Sequence, residues 1–138
     1  VILELDNILL IPRITELMKE ILPVSVNTFE NMIVDAMASK KALILIDKKD
    51  EEIRGFVFAT IEQMEAEDIV FIQISYIRPE YPKIGFELLA RVRTWAKKME
   101  IKNWIYMITP RDIKGFEKKY KFRFYGRLLR RRIDETSN

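Results

Sequence analysis

The sequence has 138 residues, 49% hydrophobic and 33% charged, a globular balance in a chain long enough to build one core without covalent staples. It contains no Cys and no His, which excludes disulfides, thiol nucleophiles, Ser-His-Asp and Cys-His chemistry and the commonest zinc ligand, so no metal is expected. The net charge of +3 hides an asymmetry: residues 1–82 carry 8 Lys+Arg against 15 Asp+Glu, whereas residues 83–138 carry 16 against 6. Either the two halves pair with one another, or the second half attracts an anionic partner.

In chain order, Val1–Leu5 reads as a short strand. Ile14, Leu17, Met18 and Ile21 recur at helical spacing between Pro12 and Leu22, and Pro23 ends that helix. A second helix is predicted over Thr28–Ser39, with Asn27 or Thr28 as its cap and Phe29, Met32, Ile33 and Met37 on one face. Three apolar, β-rich runs follow: Ala42–Asp47, Ile53–Glu62 and Ile69–Ile77. Charged turns at Lys48–Glu52 and Met64–Asp68 separate them, so an antiparallel meander is predicted.

The breaker cluster Arg78–Pro82 then opens a long helix, Lys83–Met99. Its inner face holds Ile84, Leu88, Val92, Trp95, Ala96 and Met99, and Arg91, Arg93, Lys97 and Lys98 lie outside. Trp104–Ile108 is a strand. Thr109, Pro110 and Asp112 carry the signature of a capped helix start, running to Lys119. Phe122–Ile133 is one strand or a pair bent at Gly126, and residues 134–138 are a frayed tail. The predicted order, β-α-α-β-β-β-α-β-α-β, gives an α/β fold: a central mixed sheet with helices on both faces in a single domain, residues 1–138.

Two stretches carry a family resemblance. The first is Ile77-Arg78-Pro79-Glu80-Tyr81 with Ile84-Gly85 and Glu87-Leu88-Leu89; the second is Phe116-Glu117-Lys118-Lys119-Tyr120-Lys121-Phe122. In this element order they resemble the phosphate loop and the late aromatic signature of the GNAT acetyltransferases. The resemblance implies an N-acyltransferase that moves an acetyl group from acetyl-CoA to a small-molecule or protein amine. It implies Ile77, Arg78, Lys83, Ile84, Gly85 and Phe86 as cofactor-binding positions. Its catalytic positions are Glu117, where the family often has an acid tyrosine, together with Tyr76 and Ser75 on the strand before the loop.

The chain departs from the family pattern at several places. Pro82 opens a shortened phosphate loop that keeps one glycine, Gly85, and has no N–H to donate. Lys121 replaces the signature glycine, and Pro110 stands where an asparagine is frequent. A second reading is therefore a catalytically inactive module of the same fold that serves as an assembly or binding protein, with a protein partner. Gly85 reads either as a phosphate cradle or as an ordinary helix start, and Glu117 either as an acid or base or as a surface partner of Lys114 and Lys121.

Residues 111–132 hold 10 Lys+Arg against 2 Asp+Glu. They read either as a nucleic-acid surface, with Phe124 and Tyr125 as stacking groups, or as a charged edge strand. The chain shows no signal peptide and no apolar run long enough for a membrane, so a cytoplasmic, membrane-free protein is expected, with a homo-oligomer admitted.

Overall fold

The computed structural model describes residues 1–19, 25–107, 123–125 and 128–134. The predicted helix over 109–119, the bend at Gly126 and the end of the predicted first helix lie outside these residues.

The three apolar runs pair as the meander. β2 (Ala42–Lys49), β3 (Glu52–Met64) and β4 (Glu67–Ile77) are joined by two tight turns. Both β3 and β4 are longer than the apolar runs that announce them. Polar ends such as Gln63 and Asp68 pair across the ladder although they bury nothing. β1 (Ile2–Glu4) adds to the free edge of β2. On the other side, β5 (Trp104–Met107) runs parallel to β4, with Val70, Ile72 opposite Ile105, Met107. β6 (Arg123–Tyr125) and β7 (Leu128–Arg132) form an antiparallel pair, the second of the two alternatives for the C-terminal segment. The sheet order is β1-β2-β3-β4-β5-β7-β6, mixed because β4 and β5 pair in parallel.

A parallel neighbour requires a crossover, and α3 (Ile84–Lys98) supplies it on one face of the sheet. A core of Leu45, Val57, Val70, Ile72, Leu88 and Val92, among others, fills the space beneath it. The buried stripe of α3 is broader than the predicted one, because it also takes in Gly85 and Leu89. Trp95 and Met99 are only partly buried against this core. Arg93, expected outside, is half-buried, and its Nε donates to the Ile133 carbonyl at 2.6 Å. At the far end Glu100 adopts a left-handed conformation (φ 63°). The Glu100 and Ile101 amides close back on Lys97 and Ala96, which ends the helix and turns the chain toward β5.

The opposite face is covered by a short 3-10 turn (Ile8–Leu10), α1 (Ile11–Met18) and α2 (Val26–Ala38). Ile14, Phe29 and Ile33 pack there against Ile44, Ile46, Phe56 and Phe58, and Phe29 meets Phe56 edge-on at 6.0 Å between centroids. The cap of α2 is Ser25, not Asn27 or Thr28. Ser25 keeps extended backbone and its Oγ accepts the Thr28 amide at 3.2 Å, so the helix begins two residues earlier than predicted.

Two irregularities aim the sheet. The pairing of β2 with β3 slips at Asp47/Lys48 and leaves Arg54 as the extra residue of β3. The pairing of β3 with β4 slips at Phe58/Ala59 and leaves Gln73 as the extra residue of β4. A strand alternates its side chains, so one extra residue exchanges the two faces for everything beyond it. Val70 and Ile72 pack under α3, whereas Ile74 and Tyr76 pack on the α1/α2 side.

Candidate active site

Among the described residues the parallel pairing of β5 with β4 runs from Val70 to Ile72, immediately before the bulge residue Gln73. Beyond it, Gln73–Ile77 continue against β3, with the Gln73 side chain donating from Nε2 to Thr60 Oγ1 at 3.0 Å. A bulge bends and twists its strand, so the end of β4 is turned away from the line of the sheet where the first turn of α3 arrives.

Ser75 and Tyr76 are neighbours in sequence but lie on opposite faces. Ser75 is exposed on the α3 side, the face shared with the half-buried Ile77. Tyr76 is half-buried on the α1/α2 side. Trp104 and Tyr106 alternate with the α3-facing Ile105 and Met107, which turns both rings to the face away from α3. None of these three aromatics faces the α3 side of the sheet.

At the start of α3, Gly85 is buried and Lys83 exposed. Lys83 caps the helix without a side-chain hydrogen bond. The amides of Ile84 and Phe86 donate to the carbonyls of Tyr81 and Lys83, each at 3.2 Å, so both are engaged within the chain. The positive end of the helix dipole remains at this turn. Close approach of α3 to the sheet depends on Gly55. A Cβ there would stand 3.1 Å from Ile84 Cγ2 and 3.1 Å from Leu88 Cδ1.

A polar frame holds the loop between β4 and α3. Asp47, 1% exposed, accepts the Arg54 Nε–H at 2.6 Å, and the Arg54 guanidinium lies over the Tyr81 ring at 5.0 Å from its centroid. The hydrogen bond to Asp47 raises the Arg54 guanidinium above its ordinary value, against an opposing effect of burial. A raised pKa means that this contribution is intact below the ordinary arginine value and is lost only as pH rises through the folded one. Arg78 donates from Nε to the Ile53 carbonyl at 2.8 Å, which draws its side chain toward the start of β3 and away from the first turn of α3.

On the α1/α2 side the end of β4 borders an open cleft of about 840 Å³ between α1 and the β2–β3 turn. Leu17, Ile53 and Tyr76 supply its apolar surface. Its rim carries three ion pairs: Arg13 with Glu51 at 3.1 Å, Lys19 with Glu16 at 2.7 Å, and Arg78 with Glu52 at 3.7 Å. Sequence reasoning named only Tyr76 and Arg78 among the cleft residues. The rest come from three separate elements and share no spacing that a motif would reveal.

The structure thus brings Ser75, Tyr76, Ile77, Arg78, Lys83, Ile84, Gly85 and Phe86 to one end of the sheet, but divides them between two faces. Glu117 lies outside the described residues. Of the C-terminal basic stretch, Arg131 is fully buried, which removes it from any surface patch, and Arg132 lies over the Trp104 ring at 5.2 Å. Among the described residues no helix is long and apolar enough to cross a membrane.

No protein-family model matches the sequence, and no curated protein matches it. Solved structures do. An acetyltransferase of the GNAT family from Streptococcus pneumoniae superposes with a TM-score of 0.73 at 14% identity, over 96% of this chain and 98% of the other. Aminoglycoside 6'-acetyltransferase type Ii gives 0.76 at 15% identity, over 98% of each chain. The PaiA N-acetyltransferase of Thermoplasma acidophilum, solved in complex with coenzyme A, gives 0.70 at 20% identity, over 96% and 99%. The chain has the GNAT acetyltransferase fold.

Proposed function

We propose that this protein is an N-acetyltransferase that moves an acetyl group from acetyl-CoA to an amine. The observation that carries the proposal is the two-sided end of β4. Past the bulge at Gln73, Ser75 and Ile77 face the α3 side of the sheet and Tyr76 faces the cleft on the other. A thioester and an amine can therefore reach the same strand end from opposite faces, and positioning of this kind supplies much of the rate in acyl transfer.

The residues present fit acetyl-CoA. The strand end Ser75–Ile77, with Ser75 exposed on the α3 side, would hold the pantetheine arm. Lys83 and the positive end of α3 would face the pyrophosphate, in place of the amides already bonded within the turn. The likeness to a coenzyme A complex supports this placement. Acetyl-CoA supplies the activated carbonyl: the amine nitrogen forms the C–N bond, the C–S bond breaks, and the thiolate leaves and takes a proton. The amine proton leaves through water in the cleft, with the Tyr76 hydroxyl as a side-chain relay and a carboxylate, with Glu117 among the candidates, as the base that finally holds it.

The test is direct. Because the chain contains no Cys, a thiol reagent reports only the coenzyme A released. Acetyl-CoA should bind by calorimetry and amine-dependent thiol release should follow. Failure of acetyl-CoA to bind would leave the inactive module of the same fold as the better description.

A further inference from the structure

We propose that the acceptor is a primary monoamine with an apolar body, not a polyamine; this rests on the reading of the cleft as the acceptor side. The cleft volume of about 840 Å³ lies within the range of small-molecule sites. Its surface is of two kinds. Ile53 belongs to the α1/α2-side core, and Leu17 and Tyr76 pack against that core, so the floor offers an aliphatic and aromatic surface continuous with the interior. Among the described residues the rim is electrically balanced: Lys49 and Asp50 add one charge of each sign to the three ion pairs, which makes four basic and four acidic side chains.

A polycation is held by a cleft of net negative potential. Here Glu16, Glu51 and Glu52 each already face a cation within 4 Å. A polyamine would have to exchange those partners for its own ammonium groups while meeting the repulsion of four positive side chains. A single ammonium asks for one acceptor at the rim, and its apolar body gains by covering Leu17 and the Tyr76 ring, the half-buried members of the floor.

Binding of phenethylamine, tryptamine, spermidine and kanamycin to the intact protein, followed by calorimetry with and without acetyl-CoA, tests the proposal alongside thiol release. The two arylalkylamines should bind at least about tenfold more tightly than the two polyamines. Leu17→Ser should weaken phenethylamine by about tenfold. Lys49→Glu, at an exposed position, should tighten spermidine by about three- to tenfold and leave phenethylamine within about twofold. Polyamines binding as well as or better than the arylalkylamines, or no arylalkylamine binding at all, would overturn the proposal. Acetyl-CoA binding with polyamine turnover would overturn it while leaving the acetyltransferase reading standing. The predicted amine preference without any acetyl-CoA binding would do the reverse.

Discussion

At residue 55 the sheet has no room for a side chain, since a methyl group there would press on both Ile84 and Leu88. Ile84 and Leu88 are the first inward-facing residues of α3, so the contact sets how closely the helix start approaches the end of β4. Gly55→Val should therefore destabilise the protein by about 1–3 kcal/mol in urea unfolding, the usual cost of overpacking. It should also weaken acetyl-CoA more than amine, because only the α3 side is displaced. A loss confined to amine binding would contradict the assignment of the two faces. The sequence shows Gly55 as a glycine inside an apolar run, a known mark of a bulge or a close approach, but not which helix approaches. Gln73 is harder to read. It sits in a run of apolar residues that would be equally acceptable on either face, so nothing in the pattern betrays the exchange of faces.

At the scale of elements, the strands and α3 are legible because their apolar runs are long and their boundaries charged. Helix starts are less so, since a cap depends on a single side chain meeting a single amide. Ser25, Asn27 and Thr28 are all good capping residues by type, and only the geometry selects Ser25. Ser25→Ala should cost about 1 kcal/mol in chemical denaturation, and Asn27→Ala should cost little, since Asn27 is exposed within the first turn. An equal loss in both would place the helix start elsewhere. The α3-side positions of the candidate site were legible through the loop pattern that follows Ile77. The cleft on the other face was not, because α1, the β2–β3 turn and β4 meet there only after the sheet has formed.

For the whole molecule, the two core layers share one sheet, with β2, β3 and β4 contributing to both. Loss on either face should therefore be felt by the other. Phe29→Ala beneath α2 should cost about 3–5 kcal/mol and Leu88→Ala beneath α3 about 2–5 kcal/mol. Each should leave one cooperative unfolding transition with an unchanged denaturant slope, the outcome expected if both layers unfold together. Two separated transitions would show that the layers are independent units. Asp47 with Arg54 and Glu51 with Arg13 join separate elements within the acidic half, so these contacts pair charges inside it and leave its excess over the basic half unchanged.

The bulge at Gln73 lets Ile72 and Ile74, two places apart along the chain, face opposite sides of the sheet. Deleting Gln73 would make them direct neighbours, and ordinary alternation would then keep Ser75, Tyr76 and Ile77 on the walls they already line. What a deletion takes away is the bend. The extra residue therefore serves the divergence of the strand end, and the choice of lining is left to the register with β3.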